Sequence, residues 1–338
     1  MRALFYPEWV RLEVCERLLP SLLDHEVRLA VAACGICGSE LESVKNRSPR
    51  RAPPLIMGHE FCGTIVEVGK AAESFDIGQK VISHSVVACG VCHPCRRRNA
   101  HLCEKRQIFG MHRLGAFAEF VNVPATALIP WPEPLPAAAA CLAEPLANGV
   151  HVVNLVKSRR PQIVCILGAG PIGLMCQQAT QVLLGAKTIV SDFIPERLAV
   201  AQRLGAHTTV NARQVELIAI IQEITDNEGV DVVIDAVGAE ATKRQALEIV
   251  RPGGAVVWIG LHENSIAFDS YQVTLPEVVI YGSYAATVTE LQEAVELMVD
   301  EQVEVQSWVQ AFSLEDGVAA FNRMLAAQGE DLKAVLFP

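Results

Sequence analysis

No run of apolar residues in this 338-residue chain reaches the ~18 needed to span a bilayer. The opening Met1-Arg2-Ala3-Leu4-Phe5-Tyr6 has neither the long apolar stretch nor the cleavage site of a secretory signal, and reads as a short strand. Positive charge is scarce too. With 28 Lys and Arg against 38 Asp and Glu, the net charge is −10, which disfavours nonspecific nucleic-acid binding. Internal repeats and low-complexity segments are lacking. Cysteine does not occur after Cys176, which is the last of 11, and four fall between residues 89 and 103. An odd count argues against complete disulfide pairing, and the clustering favours a metal. Hydrophobic residues at 51% and charged residues at 20% describe a globular protein, and the length suggests two domains. The expectation is a cytoplasmic, metal-binding protein with no membrane partner.

Residues 1 to about 145 carry the alternation of short strands. Val27, Leu29 and Val31 alternate with Arg28 and Ala30; Cys62, Thr64, Val66 and Val68 face away from Phe61, Gly63, Ile65 and Glu67. From about 160 the rhythm becomes strand, turn and helix. Strands are predicted at Ile163–Leu167, Thr188–Ser191, Asp231–Val237 and Ala255–Gly260, separated by helices at Pro171–Leu184, Pro195–Leu204, Gln214–Asp226 and Ala241–Val250. This is a doubly wound nucleotide-binding pattern. A further strand at Val278–Tyr284, helices near Thr289–Asp300 and Leu314–Ala327, and a last strand at Ala334–Phe337 complete the chain. The tail is assigned back to the first domain, giving residues 1–148 with 287–338, and 149–286.

The strand Ile163–Leu167 runs into Gly168-Ala169-Gly170-Pro171-Ile172-Gly173 and then an apolar-faced helix, with an acid, Asp192, nineteen residues past Gly173. A strand before, a helix after and a distal acid are the contexts that give a glycine fingerprint meaning. Gly168 permits the tight turn, Gly170 lets the backbone approach a pyrophosphate, and Gly173 lets helix pack on strand. Free N–H groups at the helix start bind phosphate. Asp192 accepts hydrogen bonds from the adenosine ribose and repels a 2′-phosphate, so NAD is favoured over NADP. Phe193 agrees, standing where an NADP site would carry an arginine, and Arg197 joins the cofactor-binding set.

Cys89-Gly90-Val91-Cys92-His93-Pro94-Cys95, followed by Cys103, has the two-residue spacers that bring thiolates to one tetrahedral ion. Four thiolates leave no open position, so this zinc is structural. His93 and His101 stand nearby as rival ligands, and Arg96, Arg97 and Arg98 read as a solvated face.

Gly58-His59-Glu60 places an imidazole and a carboxylate at the mouth of a strand. Upstream lies Cys34-Gly35-Ile36-Cys37-Gly38-Ser39-Glu40, and downstream Cys141-Leu142-Ala143-Glu144-Pro145-Leu146-Ala147. These elements, with the four-cysteine lobe and the glycine turn in this order, resemble the zinc-dependent medium-chain dehydrogenase/reductase superfamily along essentially the whole chain. The resemblance implies a GroES-like β-barrel catalytic domain joined to a Rossmann domain. It implies that Cys37, His59 and Glu144 hold a catalytic zinc, with Glu60 a support or transient ligand. Cys141 is a rival to Glu144, three residues earlier and on roughly the same helix face. Cys15, Cys34, Cys62, Cys165 and Cys176 read as core fillers. Glu-Pro at 144–145 is similar to the sorbitol, butanediol and threonine dehydrogenase branches, and Asn148 and His151 resemble threonine dehydrogenases; His151 reads equally as a core histidine.

The implied activity is transfer of a hydride from a secondary alcohol, such as a polyol, sugar derivative or related hydroxy compound, to NAD. Two zinc ions per chain are expected, one structural and one catalytic, the latter acidifying a bound hydroxyl. Ser39 is placed to pass the hydroxyl proton on. Many relatives read Asp after that Ser/Thr and His two residues further on. Glu40 and Glu42 stand here instead, leaving Glu42 as a candidate for the outer relay. Lys45-Asn46-Arg47-Ser48-Pro49-Arg50-Arg51 has four basic residues and no acid. It reads as a solvated loop, as an attractor of an anionic substrate such as a sugar phosphate or sugar acid, or as a screen for the cofactor's phosphates. The alternatives are a sugar- or polyol-phosphate or threonine-type dehydrogenase, a zinc-less quinone-reductase-like enzyme, and a non-catalytic binding protein. A homodimer or homotetramer is expected through the edge near Val278–Tyr284.

Overall fold

Along the strand Glu26–Gly35, Val27, Leu29 and Val31 are buried while Arg28, Ala30 and Ala32 are half-exposed, the period-2 pattern of a sheet with one face on a core. In the computed structural model, which describes residues 1–326 and 331–338, this strand is the hub of the first of two units, residues 1–147 with 285–338. It pairs antiparallel with Glu60–Val68, with Phe120–Pro124 and with Lys333–Phe337. Lys80–Ser83 and Leu128–Pro130 extend the sheet beyond Glu60–Val68, and Val309–Ser313 lies beyond Lys333–Phe337. A second sheet of three strands is built on Arg2–Glu8. Tyr6, Phe61, Phe109, Phe117 and Phe321 fill the core between them, with Phe61 and Phe109 edge-to-face at 5.2 Å and Phe117 and Phe321 at 5.7 Å.

The strand Glu60–Val68 departs from simple alternation at its start. Phe61 and Ile65 enter the core, but Cys62 on the other face is also buried. Its Sγ donates to the Ala137 carbonyl at 3.5 Å, because the short helix Ala137–Ala140 covers that face. Immediately before the strand, Gly58 has φ +101, and a Cβ there would stand 2.8 Å from the Phe117 nitrogen and the Cys34 sulfur. Only glycine fits, so the backbone turn that presents His59 is specified by this one residue.

The second unit, residues 148–284, is a six-stranded parallel sheet in the order Thr208–Asn211, Lys187–Asp192, Ile163–Leu167, Val230–Asp235, Val250–Trp258, Val279–Gly282. Valine and isoleucine dominate, and the central strands are buried on both faces, as parallel sheets require. Ile163–Leu167 and the helix Pro171–Leu184 fall where the periodicity puts them. Thr208–Asn211 was not expected as a strand. It is four residues long, three of them polar, and at the sheet edge, so it lacks the apolar run that marks its neighbours. The strand expected at Ala255–Gly260 begins at Val250, and the helix expected at Gln214–Asp226 is confined to Leu217–Ile224. The helix near Leu314–Ala327 is seen over Gly317–Ala326, and Ala327 lies outside the described residues. Strand order reverses between Ile163–Leu167 and Val230–Asp235, the switch point at which such sheets bind ligands beyond their carboxyl ends. Among the described residues no helix is long and apolar enough to cross a membrane.

Candidate metal centre and cofactor turn

Glu26–Gly35 ends just before Cys37, which becomes the N-cap of the helix Gly38–Asn46, while the Gly58 turn delivers His59 to the head of Glu60–Val68. One ligand atom each from Cys37, His59 and Glu60 lie within 4.8 Å of one another. A sulfur, a nitrogen and an oxygen so disposed are a zinc-type donor set. His59 Nδ1 lies 2.9 Å from Glu40 Oε1, which leaves Nε2 as the nitrogen for a metal. Glu40 is fully buried and also accepts from the Cys37 nitrogen at 3.0 Å and the Gly58 nitrogen at 2.9 Å. Burial raises the Glu40 carboxyl, but the His59 charge and hydrogen bond and the Arg51 charge outweigh it and bring it down to about 2. Burial likewise opposes the charge on His59, and the Glu40 and Cys37 charges overcome it and push the imidazole well above its ordinary value. Ser39 Oγ donates to Cys37 Sγ at 3.2 Å. Glu42 is half-buried on the same helix.

Glu60 does not face the trio with an uncompensated charge. It is ion-paired with Lys333 from the last strand, and both side chains are only 2% exposed. Lys333 Nζ also donates to the Ile36 carbonyl at 2.9 Å. Burial lowers the Lys333 ammonium, and the Glu60 charge more than reverses that.

Glu144 is buried beside this group but is not one of the converged three. Its carboxyl is raised chiefly by burial and, less strongly, by the Glu60 charge; the His59 charge and a hydrogen bond with Ser85 act the other way. The expectation that Cys141 shares its helix face is corrected. Cys141 ends the helix Ala137–Ala140, whereas Glu144 is the second residue of Ala143–Val156, so the chain breaks between them. The Cys141 thiol donates to the Ala138 carbonyl at 3.5 Å, and burial raises it well above the ordinary thiol range. Cys34, Cys62, Cys165 and Cys176 are fully buried, and Cys15 is half-buried. His151 is buried on the helix Ala143–Val156. Sequence reasoning missed the roles of Glu40, Lys333, Ser85 and Arg51. Glu40 was legible only as a departure from Asp, and Lys333 is 273 residues from its partner with no local signal.

The sulfurs of Cys89, Cys92, Cys95 and Cys103 all lie within 4.8 Å of one another, with Cys92 Sγ 3.3 Å from Cys95 Sγ and 3.7 Å from Cys103 Sγ. Tetrahedral geometry at Zn–S ~2.3 Å puts sulfurs about 3.8 Å apart, whereas a disulfide needs about 2.05 Å. These cysteines are free, and the spacing fits a metal. Backbone N–H groups of Val91 and Cys92 hold the Cys89 thiol down at about 6. The cluster takes in neither His93 nor His101.

In the second unit Gly170 is the N-cap of Pro171–Leu184, with Pro171 at the first position and Ile172 and Gly173 completing the turn. A Cβ on Gly173 would lie 1.8 Å from the Gly168 carbonyl oxygen, so helix and turn approach only with glycine there. Asp192 Oδ2 accepts from the Ala169 nitrogen at 2.7 Å and Oδ1 from the Ile194 nitrogen at 2.9 Å, so the acid is pinned against the turn. Arg197 Nε is buried and has no hydrogen-bond partner among the described residues. Phe193 is 52% exposed, and the Arg213 guanidinium lies 5.5 Å above its ring. That places a cation near the position where the sequence suggested none.

The donor chemistry and the sulfur spacing fit zinc at both places, and the glycine turn fits a pyrophosphate. Comparisons with known proteins identify the family. The family model described as "Alcohol dehydrogenase GroES-like domain" matches residues 23–133, and that described as "Zinc-binding dehydrogenase" matches residues 171–300. The chain is 32% identical over 269 residues to L-threonine 3-dehydrogenase of Chelativorans sp. (strain BNC1), covering 79% of this chain and 78% of that one. It is 31% identical over 326 residues to sorbitol dehydrogenase of Bacillus subtilis (strain 168), covering 95% and 92%. Among solved structures, a short chain alcohol dehydrogenase from E. coli CFT073 in complex with NADH superposes with a TM-score of 0.94 at 26% identity, covering 100% and 99%.

Proposed function

Because the chain belongs to the zinc-dependent medium-chain dehydrogenase/reductase superfamily, with its alcohol and polyol dehydrogenases, we propose that it oxidises a secondary alcohol with NAD, using one catalytic and one structural zinc. The convergence of Cys37, His59 and Glu60 within 4.8 Å carries this reading. It counts against a zinc-less reductase or a non-catalytic binding protein, neither of which needs such a set.

Cys37 and His59 hold the catalytic zinc, with Glu144 as the third ligand. Glu60, whose charge is already met by Lys333, is the carboxylate that exchanges on and off. A zinc ion held there would supply Lewis acidity that makes a hydroxyl acidic near neutral pH, and a bound nicotinamide would supply the hydride acceptor. The protein's own contribution is positioning. Glu40 fixes the His59 ring through Nδ1. Ser39, whose Oγ lies 3.2 Å from the Cys37 sulfur, would relay the substrate's hydroxyl proton, accepting it at Oγ as its own proton passes on toward solvent. The Gly168–Gly173 turn and the helix start bind the pyrophosphate, Asp192 holds the ribose, and Arg197 lies alongside it. Cys89, Cys92, Cys95 and Cys103 hold the structural zinc. The chain self-associates as a dimer or tetramer through the edge strand Val279–Gly282.

The test is metal analysis of the purified chain together with a panel of polyols, sorbitol and threonine among them, offered with NAD and NADP. About two zinc ions per chain and reduction of NAD are expected. One zinc per chain with no alcohol oxidised would remove the reading. Comparing Glu144→Gln with Glu60→Gln assigns the third ligand, since the catalytic zinc should be lost from the former and retained by the latter.

A further inference from the structure

Arg51 is buried at the end of a segment that is otherwise open to solvent. Of the basic residues in Lys45–Arg51, Lys45, Arg47 and Arg50 are exposed, but Arg51 is turned inward and is only 3% exposed. The turn Pro49–Arg51 sets its direction, with the Arg51 nitrogen donating to the Ser48 carbonyl at 3.1 Å. Inside, Nη1 donates to the Ser39 carbonyl at 3.2 Å, two residues from Cys37 in sequence. Nε is buried without a hydrogen-bond partner, and among the described residues no carboxylate lies within ion-pair distance of the guanidinium. Glu40 feels its charge, but the Glu40 oxygens already serve the Cys37 nitrogen, the Gly58 nitrogen and His59.

A buried cation without an ion pair is strongly disfavoured unless something else compensates it. A guanidinium has a planar fork that matches carboxylate and phosphate oxygens. The fork reaches the carbonyl of Ser39, the residue whose Oγ donates to Cys37 Sγ, and three exposed cations outside it raise the local concentration of anions. We propose that Arg51 binds a carboxylate or phosphate carried by the alcohol substrate. This rests on the dehydrogenase reading above and narrows its substrate class to hydroxy acids and to sugar or polyol phosphates.

The experiment uses the zinc-loaded full-length protein and matched substrate pairs, a hydroxy acid against its diol and a polyol against its monophosphate. Wild type should prefer the anionic member. Arg51→Gln should lower the ratio of kcat/KM, anionic over neutral, by about tenfold or more, mainly through KM, as loss of one charge-assisted hydrogen bond predicts. Arg51→Lys should restore part of the preference. Lys45→Gln should change it less than about twofold, because an exposed charge acts only at a distance. A second readout needs no turnover. Inorganic phosphate and acetate should raise the Tm of wild type by mass action, and raise that of Arg51→Gln far less.

The proposal is overturned if wild type shows no preference, if both members lose equally, or if Lys45→Gln matches Arg51→Gln. It is also overturned if the only change is in KM for NAD, which would make the anion the cofactor's phosphate. If no alcohol is oxidised yet phosphate protection still depends on Arg51, the anion site stands and the dehydrogenase reading falls. Alcohol oxidation without any anion dependence overturns Arg51 alone.

Discussion

At the scale of single residues, the site depends on groups that touch no substrate. His59 is oriented because Glu40 accepts from its Nδ1 at 2.9 Å, and Glu40 is itself held by the Cys37 and Gly58 nitrogens. An aspartate is the commoner residue in the resembling family, yet the longer glutamate still reaches the ring. Removing an orienting partner of this kind costs about 10- to 100-fold in metal affinity. Glu40→Gln should therefore weaken catalytic zinc binding by that factor in chelator competition, and Glu40→Asp should weaken it less. Equal affinity in wild type and Glu40→Gln would show that the contact is only packing. In the second unit, Asp192 is pinned against the glycine turn, where its charge would repel a 2′-phosphate, while Arg213 stands over Phe193. Asp192→Asn should raise the NADP-to-NAD ratio of kcat/KM about tenfold or more, with the cation of Arg213 already in place. A ratio that does not move would count against Asp192 as the discriminating group.

At the scale of elements, local spacing made the cysteine lobe and the glycine turn readable. Cys89, Cys92 and Cys95 are separated by two-residue spacers, and a short turn is enough to bring their sulfurs together. Gly170 and Pro171 start a helix for reasons contained in four residues. Other elements were not readable in this way. The break between the helices Ala137–Ala140 and Ala143–Val156, which separates Cys141 from Glu144, carries no glycine or proline signal at 141–143, and Thr208–Asn211 becomes a strand only through its neighbour Lys187–Asp192. The lobe also yields a clear expectation. Cys92→Ser should reduce bound zinc by about one ion per chain and lower the Tm, because a structural site contributes folding free energy directly. Unchanged zinc content would mean that the four sulfurs hold no metal.

At the scale of the whole molecule, long-range contacts decide what local patterns leave open. The last strand returns to Glu26–Gly35 and brings Lys333 to Glu60, so the charge on the residue after His59 is set by the far end of the chain. Acid sensitivity has a similar long-range origin. Burial raises the Asp231 carboxyl, but the backbone N–H of Ile163, Arg251 and the backbone N–H of Gln162 outweigh it and hold it below the ordinary 3.8. A depressed carboxyl contributes stability above its unfolded pKa and loses it as pH falls through the folded value. Asp231→Asn should thus be less stable than wild type near neutral pH, by on the order of 1 kcal/mol given its partial exposure. The difference should vanish in acid below the Asp231 pKa, and denaturant titrations at several pH values would test it; a constant difference would exclude the charge as its cause. The sequence by itself determined the four-cysteine lobe and the glycine turn, because each depends on residue type and short spacing. Only the tertiary structure decided that Glu60 converges with Cys37 and His59 with Glu144 buried beside them, that Lys333 pairs with Glu60, and that Arg51 is buried beside Ser39. Those outcomes depend on burial and on partners tens to hundreds of residues apart, and local pattern does not encode such distances.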